Sequence, residues 1–184
     1  MTAALLENDR RELLERARRR AAEAVGAKGS PAAPRGEPTS EALLAPGAAF
    51  VTWRKAGRLR GCIGSVTPTR PLWLDVEEHA ADALVSDPRF PPATARDLPE
   101  LELAISVLGP LERISSWEDL TLGVHGTFVS KGRRSALMLP KVATEWDMTL
   151  PELWEQTCLK AGLPGDAFKA PGGIALYRFV TEDF

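Results

Sequence analysis

The eight residues LELAISVL, at positions 101–108, alternate apolar with polar or small side chains. Leu101, Leu103, Ile105 and Val107 recur at every second position, which is the period of a β-strand with one buried face. Such a strand needs neighbouring strands and a packed layer against its apolar side. The pattern therefore predicts a sheet that is covered on at least one face.

Two segments predict β-hairpins, which join antiparallel strands. In FVTWRKAGRLRGCIGSV, residues 50–66, two β-compatible runs flank a turn at residues 55–58. In GVHGTFVSKGRRSALML, residues 123–139, two further runs flank a turn at residues 130–133. The chain is therefore expected to build its sheet mainly from antiparallel strands.

Helical patterns lie between and after these strands. Residues 71–86 carry an apolar stripe at helical spacing, and Pro140 is placed to begin a short helix. Thr149 and Glu152 are spaced as a capping box that begins a further helix. Helices mixed with hairpins, without regular βαβ alternation, predict an α+β fold: a mainly antiparallel sheet with packed helices.

The N-terminal 40 residues are predicted to form a helix and a linker that precede the compact domain. Residues 1–25 read as a helix whose arginines form a locally basic face, which is either solvated or in contact with an anionic partner. Residues 26–40, GAKGSPAAPRGEPTS, contain six Gly or Pro and predict a loop or linker. The compact domain is then expected to span residues 41–184.

Composition restricts the class of protein. The 184 residues are 44% hydrophobic and 26% charged, with a net charge of −2, so an extensive nucleic-acid surface is not expected. The N-terminal residues lack an uninterrupted apolar run, which predicts neither a signal peptide nor a membrane anchor. Two cysteines form no disulfide framework. These features favour a cytoplasmic protein without a membrane partner.

The densest candidate for chemistry is RLRGCIG, residues 58–64. On a regular strand Leu59 and Ile63 would point into the apolar layer, while Arg60 and Cys62 would share the opposite face. A guanidinium beside a thiol stabilises the thiolate, so Cys62 is a candidate nucleophile or ligand. The alternative is that the cysteine is a small packed side chain.

Glycines and a proline loop extend this candidate site. Gly61 and Gly64 leave bare backbone that a ligand could approach, although strand glycines also mark β-bulges. Arg89 and Phe90, in SDPRFPPAT, offer a cation and an aromatic ring for an anion or a planar group. The alternative is that Phe90 fills a core and Arg89 is its surface neighbour.

His125 is the candidate general base. In GVHGTFV the alternation places Val124 and Phe128 inward and His125 and Thr127 outward, where His125 could meet Cys62 across a sheet and form a catalytic pair. A histidine between glycines is also common in turns. No metal-ligand spacing, phosphate-binding glycine loop or GxSxG motif occurs, so no metal is predicted and the cofactor stays unknown.

Five motifs in order resemble the AMMECR domain family, whose prokaryotic members are called AmmeMemoRadiSam system protein A. The resemblance covers about residues 42–184, and LRGCIG with DPRFPP is its most specific part. Lys141 and Phe168 depart from the family pattern, which has glutamine and a nearby tryptophan. The motifs are LRGCIGS, DPRFPP, ELAISVL, GVHG and LPKVATE.

This resemblance implies an α+β domain with a larger and a smaller subdomain, and LRGCIG lining a cleft near their junction. It also implies a Memo-like protein and a radical SAM protein as partners, and it assigns no firm activity. We therefore expect a binding or accessory component that holds a small anionic ligand or nucleotide. The alternative is an enzyme that uses Cys62 on a small anionic substrate, and the sequence leaves catalysis undecided.

Overall fold

The computed structural model describes residues 4–27, 36–169 and 173–184. Residues 1–3 of the predicted N-terminal helix and residues 28–35 of the predicted linker lie outside the described residues. The helices are α1 (Glu7–Ala24), α2 (Glu41–Leu44), α3 (Leu72–Val85), α4 (Pro140–Glu145) and α5 (Leu150–Lys160). The strands are β1 (Pro46–Gly47), β2 (Ala49–Lys55), β3 (Arg58–Gly64), β4 (Arg70–Pro71), β5 (Leu101–Leu108), β6 (Glu112–Ile114), β7 (Gly126–Lys131), β8 (Arg134–Met138), β9 (Ala175–Phe179) and β10 (Thr181–Asp183).

The chain divides into two compact units. The larger contains Met1–Leu108 with Glu182–Phe184, and the smaller contains Gly109–Thr181. Each unit has a four-stranded sheet, and the strand pairs whose residue register is defined among the described residues are all antiparallel. The predicted α+β fold with a mainly antiparallel sheet and packed helices is confirmed. No helix in the described part of the chain is long and apolar enough to cross a membrane.

In the larger unit the strand order is β10-β5-β2-β3. Helix α3 packs on β2 and β3, and α1 packs on α3. The core joins Leu13 of α1 and Val76 of α3 to Val51 and Ile105 of the sheet, all four fully buried. The apolar side of the LELAISVL strand is therefore covered by helices. The N-terminal helix belongs to this core.

The first hairpin forms at the predicted turn, but one expected side-chain direction is wrong. Strand pairing shifts between Trp53 and Arg54, so Gly61 pairs with Trp53 and Leu59 pairs with Arg54. Arg60 is therefore the extra residue of a β-bulge, which reverses the alternation on either side of it. As a consequence Leu59 is exposed rather than inside the apolar layer.

Two of the six arginines of α1 differ from the expected solvated face. Arg16 and Arg19 are buried, and both guanidiniums bond the carboxylate of Glu77 on α3. Arg16 also bonds Glu12 one turn earlier in α1. Burial of an arginine requires paired acceptors of this kind. These side chains join α1 to α3 and are not available to a partner.

Asp75 connects four elements of the larger unit. Its Oδ2 accepts hydrogen bonds from the Ala49 backbone N–H at 2.9 Å and the Ser65 hydroxyl at 2.8 Å. Arg70 Nε lies 3.2 Å from Oδ1, and His79 Nδ1 lies 3.3 Å from Oδ2. Burial opposes ionisation, but His79 and these donors outweigh it and lower the pKa of Asp75. The carboxylate fixes the ends of β2, β3 and β4 to α3.

The smaller unit has strand order β6-β9-β7-β8, with α5 packed on β7 and β8. The predicted cap of α5 is present, since Glu152 accepts bonds from both the backbone N–H and the hydroxyl of Thr149. Cys158 of α5 is fully buried beside Trp154, as its helical position predicts. Burial raises the pKa of the Cys158 thiol, so this cysteine is a core side chain.

A substitution at Gly61 tests the close contact between the backbones of β3 and α3. A Cβ atom placed there would lie 1.8 Å from the Ala83 carbonyl oxygen, which is backbone and cannot rotate away. We expect Gly61→Ala to lower the free energy of unfolding by about 3 kcal/mol or more, measured by urea denaturation.

Gly165→Ala is the matched control, because its new Cβ would meet the flexible side chain of Glu155 at 2.9 Å. It should change stability by less than about 1 kcal/mol. Equal losses for the two variants would contradict the assigned contact.

Candidate functional site

Cys62 lies on β3, opposite Thr52 of β2. The Thr52 hydroxyl donates to the cysteine sulfur, with 3.3 Å between Oγ1 and Sγ. Thr52 is buried and Cys62 is half-buried. The sulfur therefore has a fixed donor on one side, and the cysteine as a residue is partly accessible to solvent.

The free edge of β3 is closed at Cys62 by side chains from the proline loop. β3 is the outer strand of its sheet, so backbone groups that face away from β2 need other partners. The Cys62 N–H donates to Asp87 Oδ2 at 2.9 Å, and its carbonyl accepts from Arg89 Nη2 at 3.1 Å. LRGCIG and DPRFPP are therefore joined through the backbone of the cysteine.

Asp87 is the centre of this junction. Its side chain is only 2% exposed and accepts bonds from the Cys62 N–H and from Arg89 Nε at 2.9 Å. The Arg89 side chain, and then the two backbone N–H groups of Cys62 and Arg89, lower the pKa of Asp87 from 3.8 to about 2, although burial opposes this. The carboxylate is therefore ionised at neutral pH.

Arg89 is held by two acceptors. Its Nε and Nη2 bond Asp87, and Nη2 also bonds the Cys62 carbonyl. The Asp87 carboxylate raises the pKa of Arg89 above its usual value. Half of the side chain, 54%, is still exposed. Arg89 fixes the loop to the strand and presents a cation beside the cysteine.

Arg60 and Phe90 complete the site. Arg60 Nη2 donates to the Pro91 carbonyl at 2.7 Å. The Phe90 ring centroid lies 5.9 Å from the Arg60 guanidinium carbon and 5.6 Å from that of Arg89. The ring is therefore flanked by two cations. Arg60 Nη1 is buried and has no hydrogen-bond partner among the described residues.

The two predicted binding glycines have structural neighbours. Gly61 faces the Ala83 carbonyl of α3, and a Cβ at Gly64 would lie 2.4 Å from the Ala49 carbonyl oxygen. Both positions need glycine because protein backbone already lies against them. These contacts bring β3 close to α3 and β2, and a ligand role for either glycine stays a prediction.

His125 lies in the smaller unit, one residue before β7 begins. Its Nδ1 accepts a hydrogen bond from the Thr121 backbone N–H at 3.0 Å, which leaves Nε2 as the nitrogen for any further contact. The expected strand alternation is wrong here: Val124 is 52% exposed and Thr127 is fully buried. The reason is that residues 121–124 form a turn, so Val124 precedes the strand, and that α5 packs on β7, where the buried Thr127 hydroxyl shares a hydrogen bond with that of Thr157. A Cys62–His125 pair stays a prediction.

Sequence reasoning missed Thr52 and Asp87. A two-residue turn without a bulge would pair Cys62 with Val51, so the neighbour of the sulfur depends on the bulge at Arg60. For Asp87 a signal was present, because an acid two residues before Arg89 in a proline-restricted loop can form a local ion pair. Among the described residues, no group of three or more His, Cys, Asp or Glu side chains could hold a metal ion.

These features define a class of protein: an α+β chain of two compact units in which a cysteine strand and a proline loop are joined by Asp87. The AMMECR1 family model matches residues 14–184. The chain belongs to the AMMECR1 family.

Relatives and a solved structure agree with this assignment. A protein of Methanothermobacter thermautotrophicus is 42% identical over 141 residues, which are 73% of each chain. Protein TK0174 of Thermococcus kodakarensis is 40% identical over 131 residues, covering 68% of this chain and 63% of that protein. The crystal structure of uncharacterized protein PH0010 from Pyrococcus horikoshii has a TM-score of 0.84 and 33% identity, covering 93% of this chain and 88% of that one.

The stabilisation from Asp87 should depend on pH. Because its pKa is about 2 when folded and near 3.8 when unfolded, the stabilisation is present above about pH 4 and is lost as the pH falls towards 2. We expect Asp87→Asn to lower the free energy of unfolding by about 2 kcal/mol at pH 7, and this difference to shrink between pH 4 and 2.

Asp82→Asn is the control, because Asp82 accepts a longer bond, 3.4 Å, from the exposed Ser86 hydroxyl. Urea denaturation of both variants at several pH values provides the measurement. A deficit of Asp87→Asn that stays constant down to pH 2 would rule out the assigned ionisation.

Proposed function

We propose that this AMMECR1-family protein is a binding or accessory component whose site at the LRGCIG motif holds a small anionic ligand. The site consists of Arg60, Arg89 and Phe90 beside Cys62. The observation that carries the proposal is the buried Nη1 of Arg60, which has no acceptor among the described residues.

A buried N–H without an acceptor is costly, and more so when it belongs to a charged group. Nη2 of the same guanidinium already bonds the Pro91 carbonyl, so the group is held in place. A ligand oxygen that reaches Nη1 would satisfy the missing bond and balance the positive charge. Arg89, fixed by Asp87, adds a second cation next to the same aromatic ring.

In this proposal the protein works with a Memo-like protein and a radical SAM protein, the partners that the family resemblance implies. The protein would then bind or deliver a small molecule, and its partners would carry out the covalent chemistry. The residues of the proposed site all lie within the larger unit.

A second candidate function is nucleophilic catalysis by Cys62. The donation from Thr52 to Sγ and the Arg89 guanidinium, which bonds the carbonyl of the same cysteine, favour it, because a hydrogen-bond donor and a cation are typical surroundings of a reactive thiol. Nucleophilic catalysis also needs a base to take the proton of the thiol. Among the described residues, the side chain that hydrogen-bonds to Sγ is the Thr52 hydroxyl, which is a donor. We therefore rank binding above catalysis.

Variants of Arg60 test the binding function. AMP, inorganic phosphate and acetate serve as probes, and the backbone amide shifts of residues 60–62 are followed by NMR titration. We expect Arg60→Ala to weaken binding of at least one of these anions by about ten-fold or more, since a charge-assisted hydrogen bond is lost.

Arg58→Ala is the matched control, because Arg58 is an exposed arginine on the same strand. It and Cys62→Ser should each leave the affinity within about two-fold. Loss of binding in Cys62→Ser with retention in Arg60→Ala would contradict the proposal and favour the thiol.

Alkylation distinguishes the second candidate. We expect iodoacetamide at near-neutral pH to modify Cys62 of the native protein no faster than it modifies glutathione, because half-burial restricts access to this side chain and the described contacts of its sulfur include no base. Mass spectrometry of native and urea-unfolded protein measures both rates, with fully buried Cys158 as the internal control. Alkylation of native Cys62 much faster than glutathione would overturn the ranking.

A further inference from the structure

The charges around Arg60 limit what its ligand can carry. Arg60 and Arg89 contribute two positive charges, and Asp87, ionised at neutral pH, removes one. The Arg60 charge also helps to lower the pKa of Asp97, after the Thr94 hydrogen bonds and Lys55, so a further carboxylate lies within electrostatic reach. Lys55 is itself paired with Glu100 at 3.0 Å, so among these side chains at most one positive charge is left without compensation. This balance fits a singly charged ligand better than a doubly charged one.

The free hydrogen-bond donors of the site also favour a ligand with a single negative charge. A phosphate group is best bound by the two parallel N–H groups of an arginine fork, or by several donors together. The Nε and Nη2 fork of Arg89 is already taken by Asp87, and Nη2 of Arg60 is taken by Pro91. The buried donor of this pair of arginines that has no acceptor among the described residues is Nη1 of Arg60. One oxygen of a carboxylate is sufficient for it.

The surroundings of this donor favour a planar group next to the carboxylate. Both guanidiniums lie within 6 Å of the centroid of the half-buried Phe90 ring. Guanidinium planes and aromatic rings both stack on flat π-systems. Since Nη1 is buried and Pro91 holds the guanidinium in place, a ligand reaches it only when side chains around it move, and the weak ring contacts of Phe90 permit such movement.

We infer that the ligand is a small aromatic monocarboxylate, with its carboxylate on Arg60 Nη1 and its ring stacked in the Phe90 cluster. This inference rests on the proposed function of the same site and adds the chemical class. It separates the site from nucleotide and phosphate sites, which need an open fork or several converging donors.

Matched probes test the charge and shape of the ligand. Benzoate carries the proposed group, benzamide is its neutral counterpart of similar shape, and phenyl phosphate keeps the ring with a larger charge. N-acetylphenylalanine has a carboxylate next to a tetrahedral carbon and represents a peptide C-terminus. We expect the affinity for benzoate to be at least about ten-fold higher than the affinity for each of the other three probes. Calorimetry and NMR titration measure these affinities.

Variants test which side chains cause the preference for benzoate. Arg60→Ala should remove the preference of benzoate over benzamide, whereas Arg58→Ala should retain it. Benzoate should also shift the ring resonances of Phe90, and Phe90→Leu should weaken benzoate more than acetate.

Two outcomes overturn the inference in distinguishable ways. Tighter binding of phenyl phosphate or N-acetylphenylalanine than of benzoate, with dependence on Arg60, refutes the aromatic monocarboxylate and leaves the proposed anion site standing. An absence of any Arg60-dependent binding, for these probes and for AMP, phosphate and acetate, refutes both the inference and the proposed function.

Discussion

The carboxylate of Asp87 joins the two motifs that carry the site. One oxygen accepts the backbone N–H of Cys62, and both oxygens bind the Arg89 side chain, which in turn reaches the Cys62 carbonyl. An outer strand would otherwise present these backbone groups to solvent or to another chain. The same bonds fix the direction of the proline loop. The places of Arg89 and Phe90 beside the cysteine therefore depend on one buried acid.

A rigid scaffold lies behind this junction. Gly61 allows β3 to approach the backbone of α3, and Asp75 fixes the ends of three strands to the same helix. Helix α1 is held in turn by the buried Arg16 and Glu77. The strand that bears Cys62 is thus fixed from behind. The side chains at its free edge, including the half-buried Phe90, have more freedom to respond to a ligand.

Local chemistry made much of this architecture predictable. The hairpin turn at residues 55–58, the Thr149 cap of α5 and the buried Cys158 follow from rules that act over a few residues. Two errors came from counting strand alternation across an irregularity. Leu59 lies beyond the bulge at Arg60, and Val124 lies in a turn before β7. A shift of one residue reverses every side chain, so these positions cannot be assigned from period alone.

By itself, the sequence determined the α+β class, the hairpin turns and the Thr149 cap of α5, and it predicted Arg60, Cys62, Arg89 and Phe90 as site residues, because each depends on local conformation or on side-chain chemistry. Only the tertiary structure decided how they act together. It paired Cys62 with Thr52, placed Asp87 between the two motifs and buried Arg60 Nη1 without an acceptor. These contacts join segments 10 to 25 residues apart. They are set by strand register and packing, which depend on the whole unit.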